Sequence, residues 1–337
     1  MIRFGTLGAA RITPDALIRP CDNDARAVVS VVAARSRARA EKFARQHGIA
    51  KVVDTYTQVV NHECVDAVYI PLPITQHHEW AIKALRAGKH VLCEKPFAAN
   101  ACEAREMAQV AAESNRVLMD AFHYRYHPIF LRAREIYAAG QLGEISTLHA
   151  AFHVPIDDPS DIRLNYETGG GVTMDIGCYP ISWVRHITNA EPLTISANAI
   201  TGPADVDVYL TSKMQFPDNI SVTTSGDMRP NTPFSAIIEV TGAQGRMRVN
   251  NPIAPHLGNS IELTLNGETH TERFTRRPSY SFQLDRFLDA VNAPANACQH
   301  LLTGPKDAVQ QMSVIDRVYQ AAGLPIRGLP KGSSLLA

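Results

Sequence analysis

Three residues in this 337-residue chain could together move a proton to and from an alcohol oxygen: Lys95, Asp175 and Tyr179. Lys95 stands in Val91-Leu92-Cys93-Glu94-Lys95-Pro96, where an apolar run ends in an acid, a lysine and a proline. Proline restricts the residue before it, so Lys95 is expected to be extended. A lysine fixed at the carboxyl end of an inner strand sits where open α/β sheets bind ligands. A surface lysine that merely ends a strand has the same local pattern, and this motif leaves both readings open. Asp175 and Tyr179 follow Gly169-Gly170-Gly171 and are spaced i, i+4, which puts them on one face of a helix. A carboxylate and a phenol aimed the same way suit general acid/base chemistry. Without Lys95, a tyrosine hydrogen-bonded to a carboxylate for packing alone is the better account of that pair.

A second constellation fits phosphate. The first apolar run, Ile2 to Leu7, is followed by Gly8-Ala9-Ala10-Arg11-Ile12-Thr13 and then by a helix opening at Pro14. The usual dinucleotide turn is G-x-G-x-x-G, with the pyrophosphate on the helix N-terminus. Only Gly8 is retained, and Ala10 and Thr13 stand at the other two positions. Alanine still allows close backbone approach, and Arg11 adds a charge. The place of the turn, after the first strand and before a helix, strengthens the reading. The second strand ends in Ala34-Arg35-Ser36-Arg37 without an acid. An acid there would hold the ribose 2′-hydroxyl of NAD, whereas arginine accommodates a 2′-phosphate. NADP is therefore expected over NAD, although arginines that simply start a solvated helix would look alike.

Strands and helices must position these groups. Up to Ala121 short apolar strands alternate with helical segments, among them Arg37–His47, Gln76–Ala87 and Ala101–Ser114, the last capped by Asn100. That alternation implies βαβ units and a doubly wound parallel sheet, a Rossmann-type α/β domain over residues 1–122. From Ser146, and continuously from Leu193 to about Phe274, successive strands with turn signals imply one large, mostly antiparallel open sheet. One of its faces should cover the helix bearing Asp175 and Tyr179. An α+β second domain is expected over residues 123–337, its closing helix near 303–322 free to pack back on the first.

Composition excludes several classes. Lysine plus arginine equals aspartate plus glutamate at 33 each, so the charge footprint of a nucleic-acid binder is missing. The six cysteines (Cys21, Cys64, Cys93, Cys102, Cys178, Cys298) have no paired C-x-x-C spacing and read as reduced thiols. No secretory signal is evident at the amino end, and no run reaches the roughly 18 apolar residues needed to span a membrane. A cytoplasmic enzyme without a membrane partner is expected. Among the 13 histidines, the adjacent His77 and His78 point apart on a helix, and His123 and His127 lack an acid or thiol partner set. No metal is expected, and His123 is a candidate for the pocket wall.

Four segments together carry a family pattern: Gly5-Thr6-Leu7-Gly8-Ala9-Ala10-Arg11-Ile12, Tyr69-Ile70-Pro71-Leu72-Pro73, Glu94-Lys95-Pro96, and Gly169-Gly170-Gly171 with Asp175-x-Gly177-x-Tyr179. The chain resembles the glucose–fructose oxidoreductase/inositol dehydrogenase family over nearly its whole length. The Gly-Ala-Ala-Arg-Ile turn, Tyr179 in place of histidine, and Ala121 to Pro128 look like the branch of dimeric dihydrodiol dehydrogenases and NADP-dependent D-xylose dehydrogenases. Two departures stand out: Ile74 replaces the usual Asn, and Asp120 stands where the branch often has Glu.

The resemblance implies hydride transfer between the nicotinamide C4 and a carbinol carbon of a sugar or cyclic diol. It implies Tyr179 as acid/base, Lys95 as its partner on the substrate hydroxyl, and Asp175 as an orienting group. It implies cofactor contacts at Gly8, Ala10, Arg11, Ile12, Arg35, Ser36, Arg37, Pro71, Leu72, His77, Glu94 and Lys95, with Arg163, Tyr124 and His123 towards substrate. A glycoside hydrolase using bound dinucleotide for transient oxidation, and a non-enzymatic NADP-dependent sensor or repressor, are the alternative readings. A homodimer or homotetramer is expected through an uncovered apolar face of the second sheet.

Overall fold

The structure, a computed structural model, describes residues 1–202, 205–293 and 301–329, so Cys298 lies outside the described residues. The chain forms two compact units, one of Met1–Arg125 with Tyr280–Val309 and one of Tyr126–Ser279 with Gln310–Ala337.

In the first unit β1 (Ile2–Leu7), β2 (Ala27–Ala33), β3 (Lys51–Val52), β4 (Ala67–Ile70), β5 (His90–Cys93) and β6 (Leu118–Asp120) form a sheet in the order β3-β2-β1-β4-β5-β6. Every pairing is parallel. The order reverses at β1, so the loops after β1 and β4 diverge at the switch point, where such sheets take ligands. The connecting helices are α1 (Arg19–Asp22), α2 (Arg37–His47), α3 (Tyr56–Val60), α4 (His77–Arg86) and α5 (Ala101–Ser114). The expected cap of α5 forms: the Asn100 side chain accepts from the Glu103 N–H at 3.0 Å. Helix α3 was not anticipated. It has only five residues, too few for a periodic signal, and is started by a capping box between Thr55 and Gln58.

The second unit opens with α6 (Pro128–Ala138), another helix absent from the sequence reading, and β7 (Ile145–His153). It continues with α7 (Cys178–Thr188), β8 (Thr194–Thr201), β9 (Asp207–Gln215), β10 (Ser221–Asp227), β11 (Ser235–Gly242), β12 (Gly245–Asn250), β13 (Ser260–Leu265) and β14 (Glu268–Glu272). The eight strands run β14-β13-β12-β11-β7-β10-β9-β8, antiparallel except where β10 lies parallel to β7. The inner face (Leu148, Ala150, Phe152, Val222, Ile238, Val249) is buried and carries α7, whose residues Cys178 to Ile187 are all buried.

The other face corrects an expectation. Alternation along the strands turns His149, His153, Thr223, Ser225, Glu239 and Arg248 outward, not an apolar surface. His149 Nδ1 lies 2.8 Å from the Thr223 hydroxyl and His153 Nε2 2.9 Å from the Ser225 hydroxyl. The ground for expecting assembly through an apolar face is therefore missing.

Helix α8 (Ser279–Asn292) belongs with the first unit from Tyr280 onward, although the sequence reading put it in the second domain. Phe287 packs on Phe4 with ring centroids 5.4 Å apart, and Arg26 reaches Asp285 and Asp289 at 2.7 and 3.1 Å. Helix α9 (Pro305–Ala321) begins two residues after the expected start of the closing helix near 303, and is divided between the units after Val309. No helix among the described residues is long and apolar enough to cross a membrane.

Candidate active site

In the first unit the phosphate turn follows β1 directly. Gly8 has φ +102°, a conformation that side-chain-bearing residues rarely adopt, and its N–H donates to Ala33 O at 2.7 Å. Residues Pro14–Ile18 then form a π-helical turn ahead of α1. Such widened turns are frequent at functional sites. Ile12 accepts the first N–H groups of that turn, from Asp15 and Ala16, while Arg11 is exposed.

The end of β2 is arranged differently from the simple arginine pair read in the sequence. The Ser36 hydroxyl caps α2, accepting from the Arg39 N–H at 3.3 Å. Arg37 is committed to acids, with Nε 2.9 Å from Glu41 and Nη1 2.6 Å from Asp54. Arg39, which the sequence reading passed over, donates from Nη2 to Ala9 O at 3.0 Å and so lies over the phosphate turn. Arg35 and Arg39 both act on Tyr56, whose hydroxyl is 3.7 Å from where a Cβ on Gly8 would stand. Burial still pushes the Tyr56 phenol up, against the pull of both guanidinium groups. These groups fit a dinucleotide that carries a 2′-phosphate: a left-handed glycine at the turn, cations at the β2 end, and no acid in that strand-end segment.

The exits of β4 and β5 are tied together by His77. The buried imidazole has Nε2 2.8 Å from Leu72 O and Nδ1 3.0 Å from Pro96 O. Burial, chiefly, holds its pKa below the usual imidazole value, with a smaller contribution from the Lys95 charge. His78 turns instead to Glu106, at 2.8 Å. Glu94 accepts from the Tyr69 hydroxyl at 2.6 Å, and the Lys95–Pro96 peptide is cis. Opposite Cys93 in the sheet register stands Asp120, fully buried, whose carboxyl burial pushes well above the ordinary range. His123 is buried against Tyr280 with ring centroids 4.0 Å apart, and Tyr124 is buried edge-on to Phe122.

In the second unit, residues Thr173–Gly177 form another π-helical turn, continuous with α7. Asp175 therefore lies in the wide turn, and α-helical register starts only at Cys178; the plain i, i+4 geometry expected for Asp175 and Tyr179 needs that correction. Tyr179 is 5% exposed. Its ring is met edge-on by Phe152 at 5.5 Å and flanked by Trp183 at 6.2 Å. Phe234, 61% exposed, stands edge-on to Phe152 at 6.3 Å. Asp175 pairs with Arg163 at 3.6 Å. Arg163 itself is held by Asp161, which accepts from Nε at 2.9 Å and from Nη2 at 2.8 Å.

The structure thus brings Arg163 to Asp175 within the second unit, while Lys95 belongs to the first. His123 lies in a 3-10 turn and His127 caps α6 in an extended conformation. Among the described residues no cluster of three or more His, Cys, Asp or Glu is placed to hold a metal ion.

Known proteins share this pattern. Residues 2–122 match the GFO/IDH/MocA oxidoreductase family, NAD-binding Rossmann fold, and residues 130–248 match the GFO/IDH/MocA C-terminal domain. A dTDP-3,4-didehydro-2,6-dideoxy-alpha-D-glucose 3-reductase from Streptomyces violaceoruber is 35% identical over 96% of each chain. An NADP-dependent D-xylose 1-dehydrogenase from Haloferax volcanii is 29% identical, covering 95% of this chain and 97% of its own. A solved 3-ketoreductase from Actinomadura kijaniata, in complex with NADP and TDP-benzene, superimposes with TM-score 0.87 at 26% identity, over 95% of this chain and 97% of its own. The reductases of dTDP-linked keto sugars add a relative class that the sequence reading did not name. Matched in both halves, and by relatives along its length, this chain belongs to the GFO/IDH/MocA family of oxidoreductases.

Proposed function

We propose that the protein is an NADP-dependent oxidoreductase that interconverts a carbinol and a carbonyl on a sugar or a cyclic diol. The observation that carries this reading is Tyr179, buried on α7 and fixed edge-on to Phe152, one turn after an Asp175 that is paired with Arg163. A phenol held this rigidly is set up to exchange a proton with one oxygen atom rather than to wander in solvent.

The nicotinamide supplies the hydride; the protein supplies placement and charge. In this reading Tyr179 takes the hydroxyl proton of the substrate during oxidation and returns it during reduction. By the family resemblance Lys95 is the group expected to favour the phenolate, whose ordinary pKa is about 10. Asp175, oriented by Arg163, accepts from a second substrate hydroxyl. The Gly8 turn accommodates the pyrophosphate, and Arg35 and Arg39 take the 2′-phosphate.

The relatives described above include a D-xylose dehydrogenase and a dTDP-keto-sugar reductase, and the 35% identity to the 3-reductase keeps the reductive direction in view. Pentoses, hexoses, inositols, cyclic trans-diols and simple glycosides with NADP, and 3-keto sugars free or dTDP-linked with NADPH, followed at the nicotinamide absorption band and by product analysis, test the reading. Turnover of at least one class is expected. A product formed from a glycoside with no net absorbance change would point to the transient-oxidation hydrolase instead, and no chemistry with any of them would remove the enzymatic reading.

A further inference from the structure

Behind the turn that leads into Asp175 lies a fully buried ion pair that the chemistry above does not use. Asp207, at the start of β9, and Arg327, after α9, are both 0% exposed and meet through Nη2 and Oδ1 at 2.7 Å. The Asp207 carboxylate also accepts from the Thr173 N–H at 2.9 Å and the Tyr319 hydroxyl at 3.1 Å. Arg327 donates from Nε to Gly170 O at 2.9 Å and from Nη1 to Pro325 O at 3.0 Å. Its guanidinium lies over the Tyr166 and Tyr319 rings at 4.4 and 4.7 Å.

Together the two side chains grip the backbone on both sides of Gly171. That glycine has φ +137°, and a Cβ on it would fall 2.2 Å from Asp207 Oδ1. The next link is short, because the Asp175 N–H donates to Gly171 O at 2.9 Å. The same turn fixes Arg163, whose carbonyl accepts from the Gly171 N–H at 2.9 Å. A buried ion pair is a poor source of net stability, since desolvation of both charges offsets their attraction. What this one does provide is a single allowed position for residues 170–173, from which both Asp175 and its partner Arg163 hang.

We infer that Asp207 and Arg327 are positioning residues for the proposed reaction, acting through the Gly170–Thr173 turn to set Asp175 and Tyr179. This rests on the functional reading above and adds to it. A carboxylate that tethers the turn by one oxygen while the guanidinium tethers it by another removes its freedom to slide, and misplacement by about 1 Å costs on the order of a hundredfold in rate.

The test compares Arg327→Met, Arg327→Lys and Tyr319→Phe with the parent in the full chain. Three quantities are measured: kcat and KM on the best substrate of the panel, the NADPH dissociation constant, and amide hydrogen exchange over residues 169–179. Val249→Ala, a core truncation in β12 remote from the turn in sequence, serves as the general-destabilisation control. Arg327→Met is expected to lower kcat at least tenfold, to leave NADPH affinity within twofold, and to speed exchange at Thr173 and Asp175. Arg327→Lys should recover part of kcat, and Tyr319→Phe, which keeps the ion pair, should show the same effects on a smaller scale. If Arg327→Met does not fold, the Lys and Phe variants carry the comparison. Faster exchange with unchanged kcat overturns the inference, as does an equal fall in kcat for Val249→Ala or exchange that does not change in any variant. A parent protein that turns over nothing defeats the functional reading instead, and the exchange arm then still reports whether the pair holds the turn.

Discussion

Arg163 spans two carboxylates of its own domain, gripping Asp161 through Nε and Nη2 and reaching Asp175 with Nη1 at 3.6 Å. The first pair is bidentate and the second is long, so Asp161 fixes the guanidinium and leaves Asp175 able to accept from another donor. Neighbouring carboxylates hold Arg163 protonated, the hydrogen bond that it donates to Asp161 being the largest cause. Replacing Arg163 with Met is expected to lower kcat/KM by roughly tenfold, about 1.4 kcal/mol, because Asp175 loses its orientation and its compensating charge. Arg163→Lys should fall between, since an ammonium cannot form the fork. Steady-state kinetics on the identified substrate decide it, and parent-like values for the Met variant would show that Asp175 needs no partner.

For Tyr179, the substitution to Phe removes one oxygen and keeps the ring that Phe152 and Trp183 enclose. Folding should therefore be unaffected. General acid/base groups typically contribute about 10²–10⁴-fold, so kcat should drop within that range while NADPH affinity changes less than twofold. Turnover near the parent value would rule out the proton-transfer role.

Cofactor preference should follow Arg35 and Arg39 rather than Arg37, which is already committed to Glu41 and Asp54. A charge-assisted hydrogen bond to a phosphate is worth about 1.5–3 kcal/mol, so Arg35→Ala and Arg39→Ala should each raise KM for NADP by roughly tenfold or more and leave KM for NAD nearly unchanged. Arg37→Ala should alter neither. Equal efficiency of the parent with NAD and NADP would defeat the whole assignment.

Much of this was legible in the residues because the signals were local. The Gly8 turn, the Asn100 cap and the strand before Lys95 each depend on a few consecutive side chains, and each formed as read. The π-helical turns at Pro14 and Thr173 were not legible, because one inserted residue in a hydrogen-bonding ladder leaves no periodic mark over five residues. The partner of Gly171 could not be read either. Asp207 and Arg327 lie 36 and 156 positions further on, and only the fold of the second unit and the returning carboxyl segment bring them to one turn. The outer face of the second sheet was misjudged for a related reason: alternation was visible strand by strand, but which phase faced α7 depended on the helix packing over Phe152.

Acid should destabilise both units through two histidines. Burial, first, pushes His90 in β5 and His127 at the α6 cap down to about 4 from an ordinary value of 6.5. Each uses Nδ1 to accept a backbone N–H, from Val117 at 3.0 Å and from Ile129 at 3.2 Å, so a proton there would displace a hydrogen bond. Between pH 6.5 and about 4 the unfolded chain binds protons that the folded chain refuses. Stability is therefore complete above pH 6.5 and falls as pH drops through that window. Discounted for solvent screening, the loss is about 1–2 kcal/mol at each histidine. Urea unfolding at pH 7, 6, 5 and 4 should show a falling midpoint, and His90→Asn, which keeps an acceptor for the Val117 N–H but cannot titrate, should flatten the profile. Parallel profiles for the parent and His90→Asn would show that His90 contributes nothing to the acid sensitivity.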